Sequence, residues 1–147
     1  MGSIVTAHPF ATDPPERFAW SMLSHAVPLS DAAQLLITGY DHEAGTVVAV
    51  AGELDVASGP LLAEHLAKLA SRLRARVVLD LAHLDFCDCA GLTVLLRAHH
   101  RFVEDGGWLR LTAPRPTIHK TLRLTKLIRV LACYPTIASA FRDPPVA

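Results

Sequence analysis

Val77-Val78-Leu79-Asp80-Leu81-Ala82-His83-Leu84-Asp85-Phe86-Cys87-Asp88-Cys89-Ala90-Gly91-Leu92 passes from an apolar run through a polar connection into a helical repeat, and its reading decides the fold. Val77 to Leu79 predicts a short buried strand. Beyond the connection, Leu92, Leu95, Leu96, His99, Phe102 and Val103 recur at helical spacing, and Gly106-Gly107 ends the helix. Asp88 stands at the N-cap, where a carboxylate accepts from the free N–H groups of the first turn and stabilises the helix by about 1 kcal/mol. Those N–H groups and the positive end of the helix dipole suit the turn to hold an anion or a partner's side chain, and Gly91 permits close approach.

Moving toward the N-terminus, Pro60 fits a first helical turn, and Leu61, Leu62, His65, Leu66, Leu69 and Leu73 fall on one stripe ending before Arg76. Earlier still, Leu35-Leu36-Ile37-Thr38 and Thr46-Val47-Val48-Ala49-Val50-Ala51 surround a turn at Asp41 to Gly45, which predicts a hairpin. Moving toward the C-terminus, the pattern predicts a strand from Trp108 to Thr112 and a helix from Pro116 to Leu124. A short strand near Val130 to Cys133 and a helix from Thr136 to Phe141 then close the chain. Strands alternating with helices call for an α/β architecture: one domain with a mixed β-sheet, helices packed on it and an N-terminal hairpin. Residues 34–142 form that domain. Residues 1–33, broken by Pro9, Pro14, Pro15 and Pro28, read as an irregular tail with Phe18, Trp20 and Leu23 available for docking, and 143–147 as a C-terminal tail.

Composition narrows the function. The chain has 147 residues, 51% of them hydrophobic and 19% charged, enough apolar surface to offset the chain entropy lost on folding. A net charge of +0 argues against a nucleic-acid binder, which needs a surplus of Lys and Arg. Residues 1–67 nevertheless hold the acids Asp13, Glu16, Asp31, Asp41, Glu43, Glu53, Asp55 and Glu64 against Arg17 alone, a polarity that either serves a charged protein partner or is plain solvated surface. Three cysteines without a secretory leader are read as reduced thiols in a cytoplasmic protein, and no apolar run reaches the roughly 18 residues of a membrane span. Among the eight histidines, His99 and His100 are adjacent and no zinc-ligand spacing occurs, so neither metal nor cofactor is expected. His99, on the apolar stripe, reads as a satisfied core histidine. Arg115, Lys120, Arg123, Lys126 and Arg129 read as a solvated basic face.

Gly52-Glu53-Leu54-Asp55 after a β-run, the strand from Val77 to Asp80, the turn Asp85-Phe86-Cys87-Asp88-Cys89-Ala90-Gly91-Leu92, Gly106-Gly107 and the closing Tyr134-Pro135-Thr136 resemble the STAS domain of bacterial anti-sigma-factor antagonists. The resemblance covers roughly residues 34–142. It implies a non-enzymatic partner-switching protein that binds an anti-sigma factor with a GHKL-type kinase fold and so frees a sigma factor. The implied partner-binding residues are Asp55, Asp88, Cys89, Ala90, Gly91, Leu92 and Thr93.

In the resembling family the kinase phosphorylates a Ser or Thr just before the turn's Gly, adding roughly −1.5 to −2 charge at the interface. Here that position is Ala90, a degenerate phosphosite with no oxygen to modify. The simplest consequence is an antagonist that ATP does not release; control by other means is the alternative. Redox control would act through Cys87, Cys89 or Cys133, with the helix dipole favouring a thiolate at Cys89 and Asp85 and Asp88 opposing it. The plainer reading makes each Cys a small apolar residue. Thr93 is either a substitute phosphoacceptor or helix surface, and Asp55 a partner contact, a cap of the Asp55-Val56-Ala57-Ser58 turn, or both. Two rival functions remain: a STAS module for ligand binding or a transport complex, and a Cys89-dependent enzyme. The second is resisted by Leu95 standing where a thiol phosphatase needs Arg.

Overall fold

The β-branched runs pair as their pattern requires. The computed structural model describes residues 34–143, so the segment carrying Phe18, Trp20 and Leu23 and the last four residues lie outside it. β1 (Leu35–His42) runs antiparallel to β2 (Gly45–Leu54), from Leu35 opposite Gly52 to His42 opposite Gly45. Only Glu43 and Ala44 remain in the turn, which is shorter than expected because His42 Nδ1 accepts from Ala44 N–H at 3.0 Å and tightens it.

Helix α1 (Gly59–Ala70) leads to β3 (Arg76–Cys87), then α2 (Cys89–Glu104), β4 (Trp108–Thr112) and α3 (Pro116–Leu124). A 3-10 turn (Leu127–Arg129), β5 (Cys133–Tyr134) and α4 (Ile137–Arg142) complete the described chain. The sheet order is β1-β2-β3-β4-β5, with every pair after the hairpin parallel. A sheet laid down in chain order by right-handed crossovers puts its crossover helices on one face. Leu62, Leu66 and Leu69 of α1, Leu92, Leu95 and Phe102 of α2, and Ile118 and Leu122 of α3 accordingly share one core with Val48, Val50, Leu79 and Leu111. Helix α4 packs on the opposite face, where Ile137, Ala140 and Phe141 meet Val47, Val78 and Tyr134.

Four local expectations need correction. Helix α1 ends at Ala70, so Leu73 lies beyond the stripe and is exposed, and Val103 of α2 likewise faces out. The last strand is Cys133–Tyr134, because Leu127–Arg129 coils into the 3-10 turn and only Leu111 and Thr112 of β4 remain to pair with it. His99 is half-buried with Nδ1 lacking a hydrogen-bond partner among the described residues, so it is not satisfied. Most consequentially, the polar connection after Leu79 is strand: β3 continues to Cys87 beside β2, with register shifts between Ala49 and Ala51 and between Gly52 and Glu53. Each shift adds a residue to β3, a bulge that re-aims the side chains after it. Leu81 and Leu84, three residues apart, therefore both reach the core.

His65 is half-buried on α1 and its Nε2 has no partner among the described residues. Burial, helped by Lys68 and Arg72, pushes the imidazole down to about 4. The unfolded chain, with an ordinary histidine near 6.5, binds a proton that the folded chain does not. His65 therefore leaves stability intact above about pH 6.5 and erodes it as pH falls toward about 4. His65→Leu is expected to flatten that limb of a pH series of denaturant midpoints; an unchanged slope would refute the assignment.

Candidate functional site

The extra length of β2 and β3 beyond β4 builds the site. β4 pairs with β3 only from Arg76 to Asp80, whereas β2 and β3 stay together until Leu54 faces Cys87. The next residue of one strand and the next of the other are Asp55 and Asp88, so two acids leave the sheet side by side, each just ahead of a helix. This is the C-terminal edge of the parallel strands, where open α/β sheets bind their ligands.

Both acids shape backbone. Asp88 Oδ1 accepts from Gly91 N–H at 2.9 Å, as an N-cap should, and Asp88 N–H donates to Leu54 O at 3.2 Å, tying the turn to β2. Asp55 Oδ1 accepts from Ala57 N–H at 2.9 Å and Ser58 N–H at 3.0 Å. The Ser58 N–H bond leads in holding the Asp55 carboxyl below the usual carboxylate range. Ser58 is fully buried, donating its hydroxyl to Glu53 O at 2.7 Å and accepting from Asp55 N–H at 3.0 Å. Asp55 thus closes the turn ahead of α1 and does not cap the helix itself, whose N-cap is Ser58 with no side-chain cap bond, and its half-exposed position keeps it reachable.

The predicted residues divide into scaffold and surface. Gly91 and Leu92 turn inward; a Cβ on Gly91 would stand 2.8 Å from Leu54 O, Leu54 Cγ and Cys87 Sγ. Ala90 is half-exposed, Cys89 and Thr93 are exposed, and the Thr93 hydroxyl donates to Cys89 O at 2.9 Å. Asp55, Ala90 and Thr93 meet at one end of a groove of about 570 Å³ between α1 and α2. The thiols differ among themselves. Burial pushes Cys87 up to about 12, with Asp88 and Cys89 adding to it, and pushes Cys133 up to about 11, so both hold their protons at neutral pH. Cys89 alone of the three is exposed.

Sequence reasoning missed two apolar side chains here. Val56, beside Asp55, is 75% exposed, and Phe86, opposite Glu53 on β3, is 47% exposed. Of the two, Phe86 is of the aromatic class enriched at protein interfaces. The signal for Phe86 was hidden, because it was read as part of a connection, not as strand. Arg115, assigned to a solvated face, instead donates through Nε to Ala82 O at 3.1 Å and sits 3.4 Å from Asp85 Oδ1, bracing the β3 extension. Among the described residues no group of three or more His, Cys, Asp or Glu gathers as a metal site would need, and no helix is long and apolar enough to cross a membrane.

Comparison with known proteins agrees with this architecture. A family model described as STAS domain matches residues 37–140. The chain is 24% identical over 103 residues to the anti-sigma F factor antagonist of Paenibacillus polymyxa, spanning 69% of this chain and 88% of that one. The crystal structure of an anti-sigma factor antagonist from Mycobacterium paratuberculosis is similar at 28% identity and a TM-score of 0.66, covering 78% of this chain and 100% of that one. An anti-sigma-factor antagonist (STAS) domain protein from Planctomyces limnophilus shares the fold, with 23% identity, a TM-score of 0.60, and coverage of 74% and 96%.

Proposed function

The chain belongs to the STAS domain family, and from that premise we propose that it is an anti-sigma-factor antagonist. Its partner is an anti-sigma factor of GHKL-type kinase fold, bound at the paired helix openings of Asp55 and Asp88 and over Cys89, Ala90 and Thr93. Asp88, Gly91 and Leu92 hold that surface from beneath. The observation carrying this reading is the position of Ala90: it stands half-exposed at the groove's end beside Asp55 and Thr93, where a kinase would meet it, and offers a methyl group instead of a hydroxyl. ATP therefore leaves the complex intact. Ser58 is no substitute acceptor, being buried with its hydroxyl committed to Glu53 O.

The test uses the purified GHKL-type anti-sigma kinases of the source bacterium. Wild-type protein is expected to bind one of them equally with and without ATP, and mass spectrometry to find no added phosphate. Ala90→Ser is expected to acquire phosphate at residue 90 and then to lose affinity by about 100-fold, since a like charge or unpaired phosphate in an interface costs several kcal/mol. Phosphate on wild-type Thr93 with loss of binding would overturn the constitutive reading. Binding to none of these kinases would overturn the function.

A further inference from the structure

The groove that begins at Asp55 and Ala90 runs on between α1 and α2, away from the turn, to Ala70 and Arg101. Its walls are Ala63, Ala67 and Ala70 on α1 and Val94 and Ala98 on α2, with Leu66 buried in its floor. Ala63, Ala67 and Ala70 follow the i, i+4, i+7 spacing of one helical face, so for about two turns the α1 side of the seam between the helices lacks side chains large enough to fill it. From Gly59 to Ala70 the seam is about 16 Å long at 1.5 Å per residue. That length suits the ridge of a third helix.

The rim selects the sign of its charge. Arg97 and Arg101 stand one turn apart on α2, are exposed, and line the same groove. Neither pairs with a carboxylate among the described residues; the one acid among the groove's lining residues, Asp55, stands at the opposite end with its carboxylate accepting from Ala57 and Ser58 N–H, and Glu64 and Lys68 form an exposed 4.0 Å pair on α1. Two unanswered guanidiniums beside an apolar seam are matched by two carboxylates at i, i+4 on an apolar helix. We infer that the α1–α2 groove seats an acidic amphipathic helix of the anti-sigma factor, its carboxylates on Arg97 and Arg101. This rests on the function proposed above and extends the contact two helical turns beyond the Asp88 turn.

The test takes the kinase that binds wild-type protein and measures its affinity by calorimetry at low and high salt. Arg97→Glu/Arg101→Glu is expected to weaken binding about 100-fold at low salt and to remove most of the salt dependence. Ala67→Phe, which fills the seam without changing charge, is expected to weaken binding at both salts, and Lys120→Glu on α3 to change nothing. Melting curves check that each variant folds. If the kinase binds the groove variants as tightly as wild type, the groove inference falls and the proposed function stands. If no kinase binds wild type, both fall. Dodecanoate is titrated in parallel: saturable binding that the double variant loses, with kinase affinity untouched, would overturn the helix in favour of a small anionic amphiphile.

Discussion

Gly91→Ala is expected to lower the melting temperature by roughly 10 °C. The added methyl would lie 2.8 Å from Leu54 O, a strand carbonyl that itself accepts from Asp88 N–H, and equally close to Leu54 Cγ and the half-buried Cys87 Sγ. Leu54 Cγ and Cys87 Sγ could swing aside at modest cost. The carbonyl cannot move without pulling β2 from the turn, so the penalty belongs at the upper end of overpacking, about 3 kcal/mol. In a chain of this size each kcal/mol shifts the midpoint by about 3–4 °C. The same displacement would move Ala90 and Cys89 relative to Asp55, so partner binding should weaken even at temperatures where the variant is folded. Ala90→Ser, one residue earlier and facing the groove, serves as the control and should melt within a degree or two of wild type. A Gly91→Ala midpoint equal to wild type would show that α2 is not pressed against β2 as described.

Arg110→Met is expected to cost about 3 kcal/mol and to release α4 first. Arg110 is 7% exposed, yet its guanidinium Nη1 donates to Ala140 O at 2.8 Å and Asp143 O at 2.9 Å, the carbonyl end of α4. Its Cζ lies 4.0 Å over the Trp108 ring centroid and 5.2 Å from that of Tyr134. The negative end of the helix dipole and two aromatic faces thus replace water around a buried cation. Methionine fills similar volume but leaves both carbonyls without their donor, and a hydrogen bond to a charged group is worth about 1.5–3 kcal/mol. Arg110→Lys keeps the charge without the planar fork and should recover part of the loss. Amide exchange reads the mechanism directly: protection should fall in residues 137–143 before it falls in β3, and uniform loss across the sheet would contradict it.

Both predictions turn on tertiary contacts that local sequence patterns foreshadow only in part. The glycine was legible as a close approach, because Asp88 and Gly91 carry the marks of a capped helix opening, but the neighbour it approaches was not. Arg110 occupies the alternate, off-core position of an evenly patterned strand, and nothing nearby in sequence says that α4 will cover that side. Val56 is hidden for the same reason, since exposure of an apolar side chain is set by what fails to pack over it, and Phe86 is hidden further because its segment reads as a connection although it is strand.

The sequence by itself determined the hairpin, the order of strands and helices, the Asp88 cap and the absence of a hydroxyl at residue 90, because each rests on periodicity or on a side chain bonding within a few residues of itself. Only the tertiary structure decided that β3 runs to Cys87. Two bulges break the alternation by which a strand is recognised, and the segment is extended because β2 supplies its hydrogen bonds. That pairing, Leu54 against Cys87, sets Asp55 beside Asp88 and opens the groove between their helices. It joins segments separated by a whole helix, and so no local pattern encodes it.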